Sequence, residues 1–263
     1  MSNWSRQGVS RRTDPVRIVP LSLPPELTQP MSDMALAAVQ APNLTYRGGP
    51  LLTAVEVVTL FWGQAWTSKQ ASLVDQLNAY FDFVLASPLL DQMAEYGVPG
   101  KSIGHGRRTG SVTIATPGPS LTVMDSAIQT FLQDRLATDS SIPKVGSNSL
   151  YFVFLPPGVA VALGGSQSCK SFCGYHDVIG NELFYAVMPY PGCAGCRSGL
   201  LPFDALTTTI SHELCEAITD PIPGQGWYDD ANGEIGDICA WHTKKLGPYT
   251  VQLEWSNSAS GCV

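Results

Sequence analysis

The sequence is poor in charge, and its first 168 residues contain no cysteine. Only 14% of its 263 residues are Asp, Glu, Lys or Arg, and 15 Lys and Arg stand against 22 Asp and Glu, a net charge of −7. Phosphate backbones and anionic membranes are bound by basic surface, so this balance argues against nucleic acid or membrane as a partner. Long apolar runs are also missing. Leu51–Trp62 is interrupted by Thr53 and Glu56, and Leu150–Leu155 stops at Pro156, far short of the ~18 apolar positions of a membrane-spanning helix. The N-terminal stretch lacks the continuous apolar core of a secretory signal. No G-x-S-x-G, P-loop or G-x-G-x-x-G occurs, which leaves the serine-hydrolase, nucleotide-triphosphatase and Rossmann readings without support.

What is present is a globular chain, 44% hydrophobic, with enough apolar material for a large core. Twenty prolines and 25 glycines give it the loop-rich character of an extracellular protein. Residues 1–45, rich in Pro, Ser and Arg, read as an extended arm, and 46–263 as one domain. All seven cysteines lie between Cys169 and Cys262, and an odd number leaves one unpaired. Cys215, inside a predicted helix, is the expected free thiol.

Hydrophobic periodicity predicts strands over Ala54–Trp62, Ser111–Ala115, Ser149–Leu155, Leu183–Met188 and, last and at an edge, Tyr249–Trp255. Helices are predicted around Leu73–Val84, Leu89–Tyr96, Met124–Leu132 and Asp204–Thr219, the last stopped by Pro221. Between Leu155 and Leu183 lies a Gly/Cys/Ser-rich excursion. This order predicts an α/β or α+β domain, a twisted mixed sheet with helices packed on it.

The helix ending at Thr219 carries the chemistry. It contains His212-Glu213-Leu214-Cys215-Glu216, an HExxE pattern. At about 100° per residue, Leu206, Ile210, Leu214, Ala217 and Ile218 form one side, and His212 and Glu216 lie about 40° apart on the other. Two metal-competent side chains thus share a face, with Glu213 beside them, placed to take the proton of a water held by the ion. A catalytic site needs a third protein ligand and one open position. The acidic loop Trp227–Asp237 supplies candidates in Glu234 and Asp237, one a ligand and the other its supporting partner. His242 is a lesser third ligand. Asp220, at the helix C-terminus, opposes the macrodipole and needs compensation. One imidazole and two carboxylates neutralise a divalent ion, which relaxes selectivity toward manganese; zinc is the first choice and manganese the alternative. Asp230–Glu234 places oxygen donors at alternate positions, as a calcium loop does, yet Ile235 stands where an EF-hand needs glycine; calcium in the 229–237 loop is a further alternative. His176 and Tyr228 are candidates for lining a substrate cleft.

The HExxE helix with its Glu and Asp downstream resembles the thermolysin-like pattern, and that resemblance implies a zincin-like metallopeptidase in which Glu213 is the general base. The substrate would be a peptide or protein, pairing as an added strand along Leu183–Met188. More widely, the chain resembles the plant EXORDIUM or phosphate-induced proteins, as a microbial relative with an HExxE site. The segments that carry this are Leu44–Pro50, Phe61–Trp66, Cys173–His176, Cys193–Cys196 and Thr219–Cys239. The likeness implies secretion, and with it disulfides among Cys169, Cys173, Cys193 and Cys196. A structural zinc on those four is the alternative, and pairing is open. It also implies a rival class, a non-catalytic extracellular binding or signalling protein with a structural ion.

Overall fold

The computed structural model describes residues 18–22 and 41–263. Most of the expected 1–45 arm therefore lies outside the described residues. Six segments form the main sheet: β1 (Ile18–Pro20), β2 (Glu56–Trp62), β3 (Arg107–Ile114), β4 (Ser149–Phe154), β5 (Phe172–Ile179) and β6 (Leu183–Met188), in the spatial order β1-β5-β6-β4-β2-β3. β3, β2, β4 and β6 run parallel, β5 is antiparallel to β6, and β1 is antiparallel to β5. Four helices pack on this sheet: α1 (Ala71–Val84), α2 (Pro88–Met93), α3 (Asp125–Thr138) and α4 (Pro202–Thr219).

Alternation along the strands makes two cores. Phe61, Phe152, Phe154 and Met188 face α1, α2 and α4, where Leu77, Phe81, Ile210 and Leu214 meet them. Leu60, Tyr151, Val153 and Tyr185 face the other way, toward Ile128 and Leu132 of α3. A strand covered on both sides loses its polar alternation, and every residue of β4 and β6 is buried. The result is the mixed α/β architecture expected from the order of elements, three layers with the sheet in the middle.

Three expectations are corrected. The Gly/Cys/Ser-rich excursion contains β5, an eight-residue strand. β6 is no edge available to a peptide, because β5 and β4 flank it. The edge strand on that side is β1, which pairs with β5, Ile18 opposite Tyr175 and Val19 opposite Gly174. The late strand at Tyr249–Gln252 pairs with Thr243–Leu246 as a separate hairpin.

The cysteines pair as Cys169–Cys193, Cys173–Cys196 and Cys239–Cys262, leaving Cys215 free and buried as expected. Each bridge closes 23 or 24 residues of chain, worth about 3 kcal/mol on the chain-entropy account. Val19 joins Cys173 and Cys196 in a small apolar cluster with Trp241 against it. There β1 is fastened by Trp241 Nε1 donating to the Pro20 carbonyl at 2.8 Å and by Ser22 N donating to the Gly195 carbonyl at 2.8 Å. No helix among the described residues is long and apolar enough to cross a membrane.

Candidate metal centre

α4 begins with Pro202 in its first turn, where a missing N–H costs nothing. From Ala205 to Thr219 every residue is buried, on both faces. Leu206, Ile210, Leu214, Ala217 and Ile218 enter the core. The opposite face meets β5 and the segment after Trp227, and there the helix buries His212, Glu213 and Glu216 at 0% exposure. Asp220, which follows the helix, accepts backbone N–H bonds from Gly224 (2.6 Å), Gln225 (3.0 Å) and Gly226 (2.5 Å). These amides compensate its position against the macrodipole.

His212 Nε2 lies 2.9 Å from Glu216 Oε1 and 3.9 Å from Asp237 Oδ1, yet it has no hydrogen-bond partner. Proximity without hydrogen-bond alignment is what atoms aimed at a common point produce. His212, Glu216 and Asp237 each bring one ligand atom to within 4.8 Å of the others. Behind them, Gln252 Nε2 donates to the Gly236 carbonyl at 2.9 Å and its Oε1 accepts from Trp241 N at 3.1 Å, which fixes the orientation of the amide. His212 Nδ1 is 3.1 Å from that Oε1 and 2.9 Å from Nε2 of the same amide. In the tautomer that donates Nδ1–H to Gln252, the lone pair of Nε2 is left for an ion. Gly236 permits the approach: a Cβ there would stand 2.8 Å from His212 Cγ and 2.9 Å from Glu216 Oε1.

A second group overlaps the first. His176, on β5 and 1% exposed, lies with Nδ1 3.1 Å from Glu213 Oε2 and 3.5 Å from Glu216 Oε2, and with Nε2 3.5 Å from Glu234 Oε1. His176, Glu216 and Glu234 likewise bring one ligand atom each to within 4.8 Å. Gly174, two residues back on the same face of β5, lets α4 come close: its Cβ would meet Thr209 Cγ2 at 2.7 Å. Glu213 Oε1, Glu216 Oε2 and both oxygens of Glu234 have no hydrogen-bond partner. A buried polar atom left unpaired costs about 1–3 kcal/mol, so a closed site with five such atoms, His212 Nε2 included, calls for something to complete it.

Electrostatics point the same way. No Lys or Arg among the described residues forms an ion pair with Glu213, Glu216, Glu234 or Asp237, although the imidazoles stand beside them. Burial would depress His176, but the hydrogen bond to Glu213, the nearby Glu216 carboxylate and the charges of both override it and push the imidazole up to about 10. Burial would raise Glu216, but the charge of His212 and the close approach of both imidazoles hold it down at about 2. Glu234 and Asp237 are pushed well up, first by burial and then by the charge of Glu216.

The expected ligands are thus brought together, but divided: Asp237 joins His212 and Glu216, whereas Glu234 joins Glu216 from the side of His176. His176, expected in a cleft, is buried among carboxylates. Tyr228 is elsewhere, in a strand paired with Thr45–Tyr46, with the Arg47 guanidinium 4.6 Å over its ring. His242 is in neither group. In the 229–237 loop, Asp229 accepts from Asn43 N, Ala231 N and Asn232 N, and Asp230 pairs with Arg47, so these two turn away from Glu234 and Asp237. Two residues missed in the sequence are Gln252 and Glu254. Their signal was the alternation Thr250, Gln252, Glu254 in the strand expected at an edge, a polar face that lies buried. No protein-family model and no curated protein matches the chain.

Proposed function

We propose that this protein is a metal-dependent hydrolase of zincin-like HExxE type acting on peptides, with His212, Glu216 and Asp237 as ligands of a zinc or manganese ion. The observation that carries it is His212 Nε2, fully buried, orphaned, and 2.9 Å from Glu216 Oε1 without hydrogen-bond geometry. The donor set of imidazole and carboxylate oxygen, without sulfur, suits either ion. When bound, the ion supplies Lewis-acid polarisation of a carbonyl and lowers the pKa of water beside it.

The chain's own residues supply the rest. Glu213 holds its Oε2 on His176 Nδ1 at 3.1 Å and keeps Oε1 free, an oriented carboxylate with a vacant acceptor. Burial raises its pKa, with the charge of Glu216 adding to that, which suits a base that takes a proton from water and returns it to a leaving amine. An extended peptide is the fitting substrate because the edge of β5 already accepts antiparallel pairing from Ile18–Pro20. β1 also packs on α4 and on the turn Asp237–Cys239, so substrate reaches the site when β1 leaves that edge. Three disulfides suit a secreted protein, the compartment that the EXORDIUM likeness also implies.

One observation favours a second reading, a structural ion in a non-catalytic extracellular protein: the site is closed, with even the Asp237 side chain only 7% exposed. Two measurements separate these readings. Protein purified without added metal should contain zinc or manganese that His212→Ala loses, and a metal-free protein of unchanged stability would overturn both. Glu213→Gln should then keep the metal and abolish cleavage in a mixed-peptide screen; a wild-type protein that cleaves no peptide, with or without residues 1–40, leaves the structural ion.

A further inference from the structure

Glu216 presents its two carboxylate oxygens to two different imidazoles. Oε1 is 2.9 Å from His212 Nε2, and Oε2 is 3.5 Å from His176 Nδ1. His212 meets Gln252 through its other nitrogen, and His176 Nε2 lies 3.2 Å from the Asp220 carbonyl and 3.5 Å from Glu234 Oε1. For His212, donation of Nδ1–H to Gln252 turns Nε2 toward an ion. Each imidazole also has its own second carboxylate, Asp237 for His212 and Glu234 for His176, and the two groups of three share only Glu216. Both oxygens of Glu234 and Oε2 of Glu216 are unpartnered and belong to residues at 0% exposure.

We infer that the cluster holds two divalent cations bridged by Glu216, one against His212 and Asp237 and the other against His176 and Glu234. This rests on the metal-centre reading above and extends it. The division of the donors decides between one ion and two: the two groups of three share only Glu216, and unpartnered buried atoms stand on both sides of it, His212 Nε2 on one and both oxygens of Glu234 on the other. Nitrogen and oxygen donors without sulfur select zinc or manganese for both positions. Paired ions of this kind, about 3.5–4 Å apart, clamp the attacking and leaving atoms of a hydrolytic step.

The test is metal stoichiometry on the full chain loaded with Mn2+ alone, with the electron paramagnetic resonance spectrum as a second readout. Two ions per chain and an exchange-coupled spectrum are expected. His176→Ala and the near-isosteric Glu234→Gln should each reduce this to one ion and an uncoupled spectrum, and Asp237→Asn should do the same from the other side. A wild type that takes up one ion, with an uncoupled spectrum unaffected by Glu234→Gln and abolished by His212→Ala, overturns the second site and keeps the first. Uptake of no ion overturns both. Circular dichroism of each variant separates loss of an ion from loss of the fold, and Glu234→Gln decides between one ion and two if His176→Ala fails to fold.

Discussion

The two faces of α4 are equally buried and held in place by different physics. On one, Leu206, Ile210, Leu214 and Ile218 complete a core with the sheet and α1. Each such side chain gains about 1.5–3 kcal/mol from burial and asks nothing further of its surroundings. On the other, His212, Glu213 and Glu216 are sealed as tightly but leave polar atoms unpaired. Complete burial therefore reports packing on one side and an unmet demand for charge on the other. The apolar face makes the domain, and the polar face is where we propose that a cation sits.

Breaking the apolar face should have the largest effect. Leu214→Ala should cost about 2–5 kcal/mol in urea unfolding, equally with and without chelator, because it removes core atoms and no ligand. If chelator changes that cost, the faces are not independent. On the polar face, a free ion concentration of about a hundred times the dissociation constant should add about 2.7 kcal/mol to the stability of the chelated protein and vanish in His212→Ala. A midpoint indifferent to metal would erase the contrast. Gln252→Ala should weaken metal binding by about 10–100-fold in a chelator competition while leaving the chelated protein nearly unchanged, since it frees the His212 tautomer.

The smallest effect is expected at a buried acid outside both groups. Glu254 is fully buried with both oxygens unpartnered. Burial pushes its pKa well up, and the charge of Glu216 adds to that. A carboxyl raised in the folded state contributes its stability in full below the unfolded value of about 4.3 and loses it as pH rises toward the folded value. Glu254→Gln should match the wild type near pH 4 and become the more stable of the two toward neutral pH, in unfolding curves with chelator present. A gap that does not widen with pH would mean that Glu254 is ionised and partnered.

Much of this was legible in the sequence. Apolar, β-branched runs marked β2, β4 and β6 close to their observed bounds, because a strand covered on both faces writes its burial into every residue. β5 was not legible, since Phe172-Cys173-Gly174-Tyr175-His176-Asp177 mixes turn formers with polar residues. It is a strand because it pairs with β6 and β1 and is tied to the 193–196 turn by a disulfide. With β5 unread, His176 stood as a loop residue instead of a partner for Glu213.

The relation of His212, Glu213 and Glu216 needs nothing beyond the order of residues, because helical periodicity is local: four residues on is the same face wherever the helix lies. The same order marks Cys215 as the thiol left over. Which residues answer that face is a matter of tertiary packing. His176 arrives through strand register, 36 residues before His212, and Gln252 through a hairpin 40 residues after it. Glu234 and Asp237, three apart on one loop, serve opposite sides of Glu216. Such contacts are fixed by how layers pack and by which edge a strand joins, and neither is written in the spacing of the residues concerned.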